Sequence, residues 1–290
     1  MIFGITGNIA KDELWPLLNR LIAWMNSEGI HFQLHTPIVE GLLQRSLISS
    51  ESAQDISTDN PANTSTMILS IGGDGTLLHT AYEVGASEVP ILGINIGYLG
   101  FLADVESSRI QDAFQLLLTQ QYEIEERSAL SILGPYTGWA LNDVVITRQP
   151  SEGLAAIDVF VDGIRLNRYW GDGLIIATPT GSTAYSLAVG GPIVMPGSNV
   201  VIVSPVAPHS LTVRPIVLPA SSTLTIELSS RSADCTIAFD GRAYQFSNKE
   251  DPFTISRADH SIRLVRLKGT NYFGTLRSKL SWGMGPQMGH

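Results

Sequence analysis

Hydrophobic and polar residues follow two different periods along the chain, and the change occurs near Tyr122. Before this residue, short apolar runs alternate with segments whose apolar side chains recur at helical spacing, such as Trp15, Leu18 and Leu21. This alternation predicts an α/β domain with a parallel sheet. After Tyr122, short runs of alternating apolar and polar residues are separated by turns, which predicts an all-β, sandwich-like domain.

The same pattern predicts individual elements and a division into domains. In the first part we expect strands at residues 2–5, 67–71 and 89–94, helices at residues 15–25, 77–84 and 110–118, and a polar surface excursion at residues 49–66. In the second part we expect strands at residues 155–161, 164–166, 200–204, 222–228, 235–239 and 262–267, a hairpin turn at Asp162-Gly163 and a closing helix at residues 275–282. We therefore assign residues 1–125 to the α/β domain and residues 126–269 to the β-rich domain, with residues 270–290 able to pack back on the first.

Composition restricts the class of protein. The 290 residues are 44% hydrophobic and 16% charged, which suits packed cores and not a disordered chain. The net charge of −9 and the lack of a Lys/Arg-rich run argue against nucleic-acid binding. Cys235 is the only cysteine and cannot form an internal disulfide. Since the sequence also lacks a secretory signal pattern and any run of transmembrane length, we expect a cytoplasmic protein without a membrane partner.

Residues 70–78, with the sequence SIGGDGTLL, carry the strongest chemical signal. Glycines between a strand and a helix let the backbone approach a ligand, and the free N–H groups of the helix start favour an anion such as phosphate. Asp74 is unexpected there, because a carboxylate repels phosphate unless a metal or a chemical task accounts for it. The segment has neither Walker A nor GxGxxG spacing, and a tight turn without a ligand is the alternative at this point.

Two further segments place polar side chains beside predicted strands. Residues 171–186, GDGLIIATPTGSTAYS, contain many small hydrogen-bonding groups that suit a nucleotide, although a solvated turn is the alternative. Asn142 and Asp143 precede an apolar strand. Their amide and carboxylate can fork onto the two hydroxyls of a ribose, although an Asx turn explains them as well.

Asp-Gly pairs recur in the chain and provide a control. They occur at positions 74, 162, 172 and 240. A hairpin turn accounts well for Asp162 and plausibly for Asp240. Local sequence therefore does not rank these four aspartates.

Five segments, in order, resemble the NAD kinase family, whose enzymes phosphorylate the 2′-hydroxyl of the adenosine ribose of NAD. Residues 72–76 are similar to the family's GGDG loop, and residues 93–102 to its GxNxGxLGFL segment. Asn142-Asp143 stand where the family has an Asn-Glu pair. Residues 171–185 resemble its GDG…TPTGSTAY stretch, and residues 208–215 its PHSL…RP segment. The resemblance covers most of the chain.

This resemblance implies an active site in the cleft between the two domains, and a homo-oligomer, dimer or tetramer, in which a neighbouring subunit completes the dinucleotide site. It implies NAD as acceptor, ATP or polyphosphate as donor, and Mg²⁺ held mainly by the donor phosphates. Asp74 would be the general base, because a ribose hydroxyl is a weak acid and needs a carboxylate within reach. The residues implied to hold the phosphate donor are Gly72, Gly73, Gly75 and Thr76.

The resemblance also implies a NAD site. In it, Asn142 and Asp143 hold ribose hydroxyls, Tyr185 offers a ring for stacking, and Asp172 meets the nicotinamide end. The implied NAD-binding set is Asp74, Gly75, His79, Asn142, Asp143, Asp172, Thr183, Ala184, Tyr185, Ser186, Ala188 and Ala207. Asp143 departs from the family's usual Glu and shortens the reach of the carboxylate by about 1.5 Å. Either the backbone lies closer to the ribose or a water bridges the gap.

Two other functions share parts of this pattern. A lipid kinase of the diacylglycerol or sphingosine type has the same GGDGT loop but needs an apolar acceptor groove, whereas residues 171–186 are rich in hydroxyls. A non-catalytic dinucleotide sensor would keep the pocket, but binding alone gives no reason to retain Asp74.

Overall fold

The computed structural model describes residues 1–97, 100–103, 105–149, 153–229, 234–247 and 251–281. The chain divides into two compact units. The first contains Met1–Glu125 and the residues from Ile262 onward, and the second contains Glu126–Ser261. Segment 262–269, which the sequence pattern assigns to the second domain, therefore belongs to the first unit.

Helices and strands alternate in the first unit, and strands dominate the second. The helices are α1 (Leu14–Ser27), α2 (Thr36–Gln44), α3 (Ser50–Ile56), α4 (Asp74–Val84), α5 (Ile110–Leu118), α6 (Tyr185–Ala188) and α7 (Tyr272–Leu280). The strands are β1 (Ile2–Gly7), β2 (His31–His35), β3 (Ser57–Thr58), β4 (Met67–Gly72), β5 (Ile91–Asn95), β6 (Val105–Glu106), β7 (Tyr122–Leu133), β8 (Gly138–Ala140), β9 (Asp143–Arg148), β10 (Ala155–Val161), β11 (Ile164–Gly171), β12 (Gly173–Ala177), β13 (Val200–Val206), β14 (Ile216–Pro219), β15 (Leu224–Leu228), β16 (Cys235–Phe239), β17 (Arg242–Phe246) and β18 (Phe253–Leu267).

A parallel sheet forms the centre of the first unit. Its strand order is β3-β2-β1-β4-β5, and both β6 and the last part of β18 pair in parallel with β5. All residues of β4 are buried, as expected for a parallel strand covered on both faces. Phe3, Leu69 and Leu92 from the strands pack in one core with Leu18 and Phe114 from the helices.

The strand order of this sheet reverses between β1 and β4. The chain first runs from β1 outward to β2 and β3, and then returns to place β4 on the other side of β1. Open α/β sheets bind their ligands outside the carboxyl ends of the strands at such a reversal. The loops that follow β1 and β4 are therefore the expected ligand-binding loops of this unit.

Two antiparallel sheets form the second unit. One has the order β14-β13-β12-β9-β16-β17, and the other joins β11, β10, β15 and the first part of β18. Val144 and Leu174 of the first sheet share a core with Ile157 and Ile226 of the second. Side chains from two sheets that meet in one core are typical of a sandwich.

The predicted fold class is confirmed, because the first unit is α/β with a mostly parallel sheet and the second is built from antiparallel strands. The hairpin turn predicted at Asp162-Gly163 joins β10 to β11. In the described part of the chain, no helix is long and apolar enough to cross a membrane.

Some elements differ from their sequence predictions. Segment 49–66 is not a plain surface excursion, since it contains α3, β3 and a 3₁₀ turn at Pro61–Asn63. Ser49 caps α3 by accepting the N–H of Ser52, but α3 buries only Ala53 and so leaves no apolar period. The sequence pattern also missed β2 and α2. The predicted closing helix is α7, which ends at Leu280, and Trp282 lies outside the described residues, as do Tyr98 and Leu99 of segment 93–102.

Candidate functional site

The glycine loop of the first unit connects β4 directly to α4. Gly72 is the last residue of β4, Gly73 is the extended N-cap residue with φ −127° and ψ −168°, and Asp74 is the first residue of α4. A Cβ on Gly72 would lie 2.1 Å from Thr76 Oγ1, so the turn needs glycine at that position. The local sequence explains this turn, because the buried apolar strand β4 ends at Gly72 and glycine at positions 72 and 73 lets the chain turn directly into α4.

The Asp74 carboxylate is held by backbone donors from a distant loop. Its Oδ2 accepts the N–H of Phe101 at 2.9 Å, and its Oδ1 accepts those of Leu102 and Ala103 at 3.0 and 3.1 Å. A carboxylate has about four lone-pair positions, so one remains for a ligand. A Cβ on Gly100 would lie 1.9 Å from Oδ1, and glycine is therefore required where this loop passes the carboxylate.

A pocket of about 330 Å³ opens beside the start of α4. It is lined by the end of β1, the start of α2 and one face of α4, namely Thr6, Gly7, Asn8, Ile9, His35, Pro37, Gly75, Thr76, His79, Thr80 and Glu83. A Cβ built on Gly73 or on Gly75 would meet no atom within 4 Å, so the backbone there is open to a ligand. The pocket thus lies at the reversal of strand order and at a helix N-terminus, where an anion is favoured.

His79 lies on the wall of this pocket. It is exposed on α4, and its Nε2 lies 3.4 Å from Oε1 of Glu83, while Nε2 of His35 lies 3.8 Å from the same oxygen. No pattern in the sequence indicates this cluster, because His35 comes from the end of β2, an element that the hydrophobic pattern missed.

In the second unit, Asn142 and Asp143 lie at the start of β9 with unusual surroundings. Oδ1 of Asn142 is buried and has no hydrogen-bond partner among the described residues. Burial and the neighbouring charge of Asp240 raise the pKa of Asp143 to about 7, whereas the backbone N–H of Tyr185 favours the ionised form. A buried acceptor without a donor costs free energy, and a ligand that carries hydroxyl groups would supply the donor.

Asp240 holds the backbone of this segment. Its carboxylate accepts the N–H groups of Leu141 at 2.6 Å, Asn142 at 2.8 Å and Asp143 at 3.1 Å. Burial raises the pKa of Asp240, although these three N–H groups and the charge of Arg242 act in the opposite direction. Asp240 also lies in the hairpin turn that its Asp-Gly pair predicts, and no local signal in the sequence indicates its contacts with residues 141–143.

The loop after β12 packs on the same segment. The N–H of Thr178 donates to the Asn142 carbonyl at 2.9 Å, and the Thr178 hydroxyl donates to the Leu141 carbonyl at 2.6 Å. A Cβ on Gly181 would lie 2.1 Å from the backbone carbonyl oxygen of Asn142. The dense Ser/Thr segment predicted as a nucleotide loop is therefore folded against Asn142.

The predicted residues in segment 183–188 differ in how far their side chains are exposed to solvent. Thr183 and Ala184 are half-buried, and Tyr185 and Ala188 are exposed, at the start and end of α6. Ser186 is fully buried, and its hydroxyl lies 3.0 Å from that of Ser204, so its side chain faces the interior.

Asp172 and Ala207 lie near each other at the junction of β11, β12 and β13. The Asp172 carboxylate accepts Nε–H of Arg148 at 2.7 Å, and its N–H donates to the Val206 carbonyl at 3.0 Å. Ala207 has a positive φ of 41°, an uncommon conformation for alanine that often marks functional sites.

The structure thus brings the predicted residues together in groups. In the first unit, Gly75, Thr76 and His79 line the pocket beside α4, and Asp74 lies at the first position of that helix. In the second unit, Asn142, Asp143 and Tyr185 meet at the start of β9, and Asp172 with Ala207 forms a separate pair.

Both halves of the chain match family models. Residues 3–122 match the model of the ATP-NAD kinase N-terminal domain, and residues 141–267 match that of the ATP-NAD kinase C-terminal domain.

Individual proteins agree with these matches. The chain is 34% identical over 289 residues to a NAD kinase of Cytophaga hutchinsonii, covering 98% of this chain and 99% of that protein. It is 45% identical over 225 residues to a NAD kinase of Bacteroides fragilis, covering 75% and 76%. Among solved structures, yeast NADH kinase complexed with NADH matches with a TM-score of 0.88 and 25% identity, covering 100% of this chain and 90% of that one.

Proposed function

The chain belongs to the ATP-NAD kinase family, a family of phosphotransferases, and we propose that it transfers the γ-phosphoryl group of ATP to the 2′-hydroxyl of the adenosine ribose of NAD, giving NADP. The observation that carries the proposal is the position of Asp74, at the first residue of α4 and directly after two glycines. The N–H groups of a helix start attract phosphate. A carboxylate among them is explained by a proton that must be removed during the reaction.

The donor phosphates are held by the backbone at the start of α4. Gly72, Gly73, Gly75 and Thr76 form the turn, and Gly75 and Thr76 also line the pocket of about 330 Å³ beside it. The partial positive charge of the helix N-terminus stabilises the phosphate oxygens. This assignment explains why the loop has glycines where a Cβ would fill the space beside the backbone.

Mg²⁺ accompanies the donor in this proposal. Mg²⁺ keeps several waters and is commonly bound through substrate phosphates with few carboxylates. The described residues contain no group of three His, Cys, Asp or Glu side chains that could hold a metal ion, and a cation carried by the donor needs none. When bound, Mg²⁺ neutralises phosphate charge that would otherwise be repelled by Asp74.

Asp74 acts as the general base. As the 2′-oxygen of the ribose attacks the γ-phosphorus, the hydroxyl proton passes to the free lone pair of the carboxylate, and the bond to the β–γ bridging oxygen breaks to release ADP. The three N–H groups of the 101–103 loop fix the direction of that lone pair. The protein therefore contributes position and a proton acceptor, and forms no covalent bond to the phosphoryl group.

NAD is bound by the second group of residues. Oδ1 of Asn142 and the carboxylate of Asp143 accept hydrogen bonds from ribose hydroxyls, which supplies the partner that Asn142 lacks. The exposed ring of Tyr185 stacks on an aromatic part of the dinucleotide. Asp172 meets the nicotinamide end, and the remaining residues assigned to NAD are Asp74, Gly75, His79, Thr183, Ala184, Ser186, Ala188 and Ala207. Because the Ser186 side chain is buried, its contribution comes from the backbone.

A homo-oligomer, dimer or tetramer, is part of the same proposal. This part of the proposal comes from the family resemblance of the sequence, in which a neighbouring subunit completes the dinucleotide site. We also place the enzyme in the cytoplasm, in keeping with a sequence that contains a single cysteine and so forms no internal disulfide.

One assay tests reaction and donor together. The protein is incubated with NAD or NADH, with ATP or polyphosphate, and with Mg²⁺, and the products are identified by mass and by the position of the new phosphate. We expect NADP, phosphorylated on the 2′-oxygen, from NAD and ATP. No NADP in any combination would contradict the proposal, and transfer to diacylglycerol or sphingosine in a parallel incubation would favour the lipid kinase alternative instead.

A further inference from the structure

Asp240 makes contacts that its place in the chain does not require. It lies in the turn between β16 and β17, with φ 46°, and Gly241 follows with φ 83°. Asp-Gly is a favoured pair for such a turn, because both residues need positive φ. The side chain, however, leaves the hairpin and binds three successive backbone N–H groups about a hundred residues away, at distances of 2.6–3.1 Å.

The hairpin between β10 and β11 provides an internal comparison. Asp162 and Gly163 have φ values of 50° and 80°, close to those of Asp240 and Gly241. The Asp162 carboxylate accepts the N–H of Thr223 at 2.9 Å and no triplet of donors is recorded for it in the described residues. The turn itself therefore does not need a carboxylate that binds three N–H groups, and these contacts of Asp240 serve another purpose.

The contacts of Asp240 also have a cost. The half-buried carboxylate lies beside the buried carboxyl group of Asp143, and two neighbouring carboxylates oppose each other's ionisation. Its three N–H partners and the nearby Arg242 favour its ionised form, but burial still raises its pKa. A side chain that only closed a turn would avoid the second charge, so the arrangement indicates a role at the Asn142 and Asp143 segment.

We propose that Asp240 is a positioning residue for NAD, which fixes the backbone of residues 141–143 so that the Asn142 and Asp143 side chains are already oriented for the ribose hydroxyls. This inference rests on the proposed function, because it takes the assignment of Asn142 and Asp143 from it. The backbone is fixed from both sides, since the N–H of Asp240 also donates to the Asp143 carbonyl at 3.1 Å. Such preorganisation matters because a displacement of about 1 Å can reduce activity about a hundredfold.

The test compares two matched substitutions. Asp240→Asn keeps the shape and the positive φ, which asparagine tolerates, but removes the charge and one acceptor oxygen. We expect the KM and the calorimetric Kd for NAD to rise about tenfold, with the KM for ATP within about twofold of the original. Asp162→Asn is the control. It changes a turn of the same kind that does not touch residues 141–143, so the constants for NAD and for ATP should stay within about twofold of those of the original protein.

A second readout separates positioning from a general loss of structure. The charge of Asp240 is one of the causes that raise the pKa of Asp143, while the Tyr185 N–H on the other side lowers it. In Asp240→Asn the pH midpoint of NAD binding should therefore move below that of the original protein. A protein that is merely less stable would keep the midpoint and lose affinity for both substrates.

Hydrogen exchange on the unsubstituted protein keeps the inference testable if Asp240→Asn does not fold. The amides of residues 141–143 should exchange slowly before NAD is added and change little afterwards, because the segment is preformed. Fast exchange that slows only with NAD would overturn the inference.

The outcomes separate this inference from the proposed function. If the unsubstituted protein makes no NADP, the proposed function fails. If it makes NADP and Asp240→Asn binds NAD as Asp162→Asn does, the positioning role is wrong while the function stands. Equal rises in the constants for NAD and ATP would also contradict it.

Discussion

Two aspartates, one in each unit, are bound in the same way and placed in different surroundings. Asp74 accepts the N–H groups of residues 101–103, and Asp240 accepts those of residues 141–143. Asp74 lies at a helix start beside a pocket of about 330 Å³, whereas Asp240 lies in a hairpin turn beside the buried carboxyl group of Asp143. In the first case the distant backbone orients the carboxylate, and in the second the carboxylate orients the distant backbone.

The physical basis of this difference is which hydrogen-bonding groups are left for a ligand at each aspartate. Three N–H groups occupy three of the roughly four lone-pair positions of the Asp74 carboxylate, which leaves one for the substrate in the proposed function. Near Asp240, the groups left for a ligand are the side chains of the segment that Asp240 binds. They include Oδ1 of Asn142, which has no hydrogen-bond partner among the described residues. In our proposal, the same arrangement of three hydrogen bonds serves catalysis in the first unit and substrate positioning in the second.

The largest effect is expected for Asp74→Asn. The amide keeps the size of the side chain but cannot accept the ribose proton, so turnover should fall about 10²–10⁴-fold while NAD binding is kept. Steady-state kinetics with a calorimetric Kd for NAD measure both. Turnover close to that of the original protein would remove Asp74 from its role.

Gly100→Ala should disturb the same carboxylate from the other side. Its Cβ would lie 1.9 Å from Oδ1 of Asp74, so the carboxylate must move, and we expect turnover to fall about a hundredfold. The control is Gly153→Ala, since no atom lies within 4 Å of a Cβ at that position. Equal activities of the two variants would show that the position of the Asp74 carboxylate is not critical.

Asn142→Ala should weaken the binding of NAD and change turnover little. Removing the amide loses a hydrogen bond to the ribose, so the Kd for NAD should rise about tenfold and that for ATP stay within about twofold. Because Oδ1 is buried without a partner among the described residues, the melting temperature should not fall appreciably. A matching loss of ATP affinity would indicate a folding defect.

The smallest effect is a pH dependence of NAD binding. The pKa of Asp143 is raised from 3.8 to about 7, so the group is mostly protonated below pH 7 and ionised above it. Since the ionised form accepts the ribose hydroxyls, NAD binding releases a proton, and affinity should rise up to about tenfold between about pH 6 and pH 8 and then level off. Asp143→Asn should abolish this rise, and a rise that persists in the variant would assign the titration to another group.

The same pKa shift has the opposite sign for stability. Between about pH 4 and pH 7 the folded protein keeps a proton on Asp143 that the unfolded chain has lost. The contribution of this group to the free energy of unfolding is therefore complete below about pH 4 and is lost as the pH rises to about 7.

The sequence predicted features that depend on neighbouring residues. The apolar run before Gly72 and the glycines around Asp74 predicted a strand, a turn and a helix, and the structure has β4 and α4 there. The change of period near Tyr122 predicted the two kinds of architecture. Segment 49–66 was harder, because α3 is stabilised by its Ser49 cap and buries a single alanine, so hydrophobic spacing carried no signal.

Features that depend on distant residues could not be predicted from local pattern. The donors to Asp74 lie 27–29 positions away, and those to Asp240 lie 97–99 positions away. All four Asp-Gly pairs therefore look alike in sequence, and tertiary contacts distinguish them. Asp162 and Asp240 lie in two hairpin turns of the same kind, and of these two residues Asp240 is the one that binds the segment that carries Asn142.

The central claim, that two aspartates bound alike perform different tasks, is tested most directly by measuring kcat and the NAD Kd of Asp74→Asn and Asp240→Asn side by side. We expect Asp74→Asn to lose kcat by about 10²–10⁴-fold at a nearly unchanged Kd. We expect Asp240→Asn to raise the Kd about tenfold with a much smaller change in kcat. If both variants lose the same quantity to a similar extent, the distinction between the two carboxylates is contradicted.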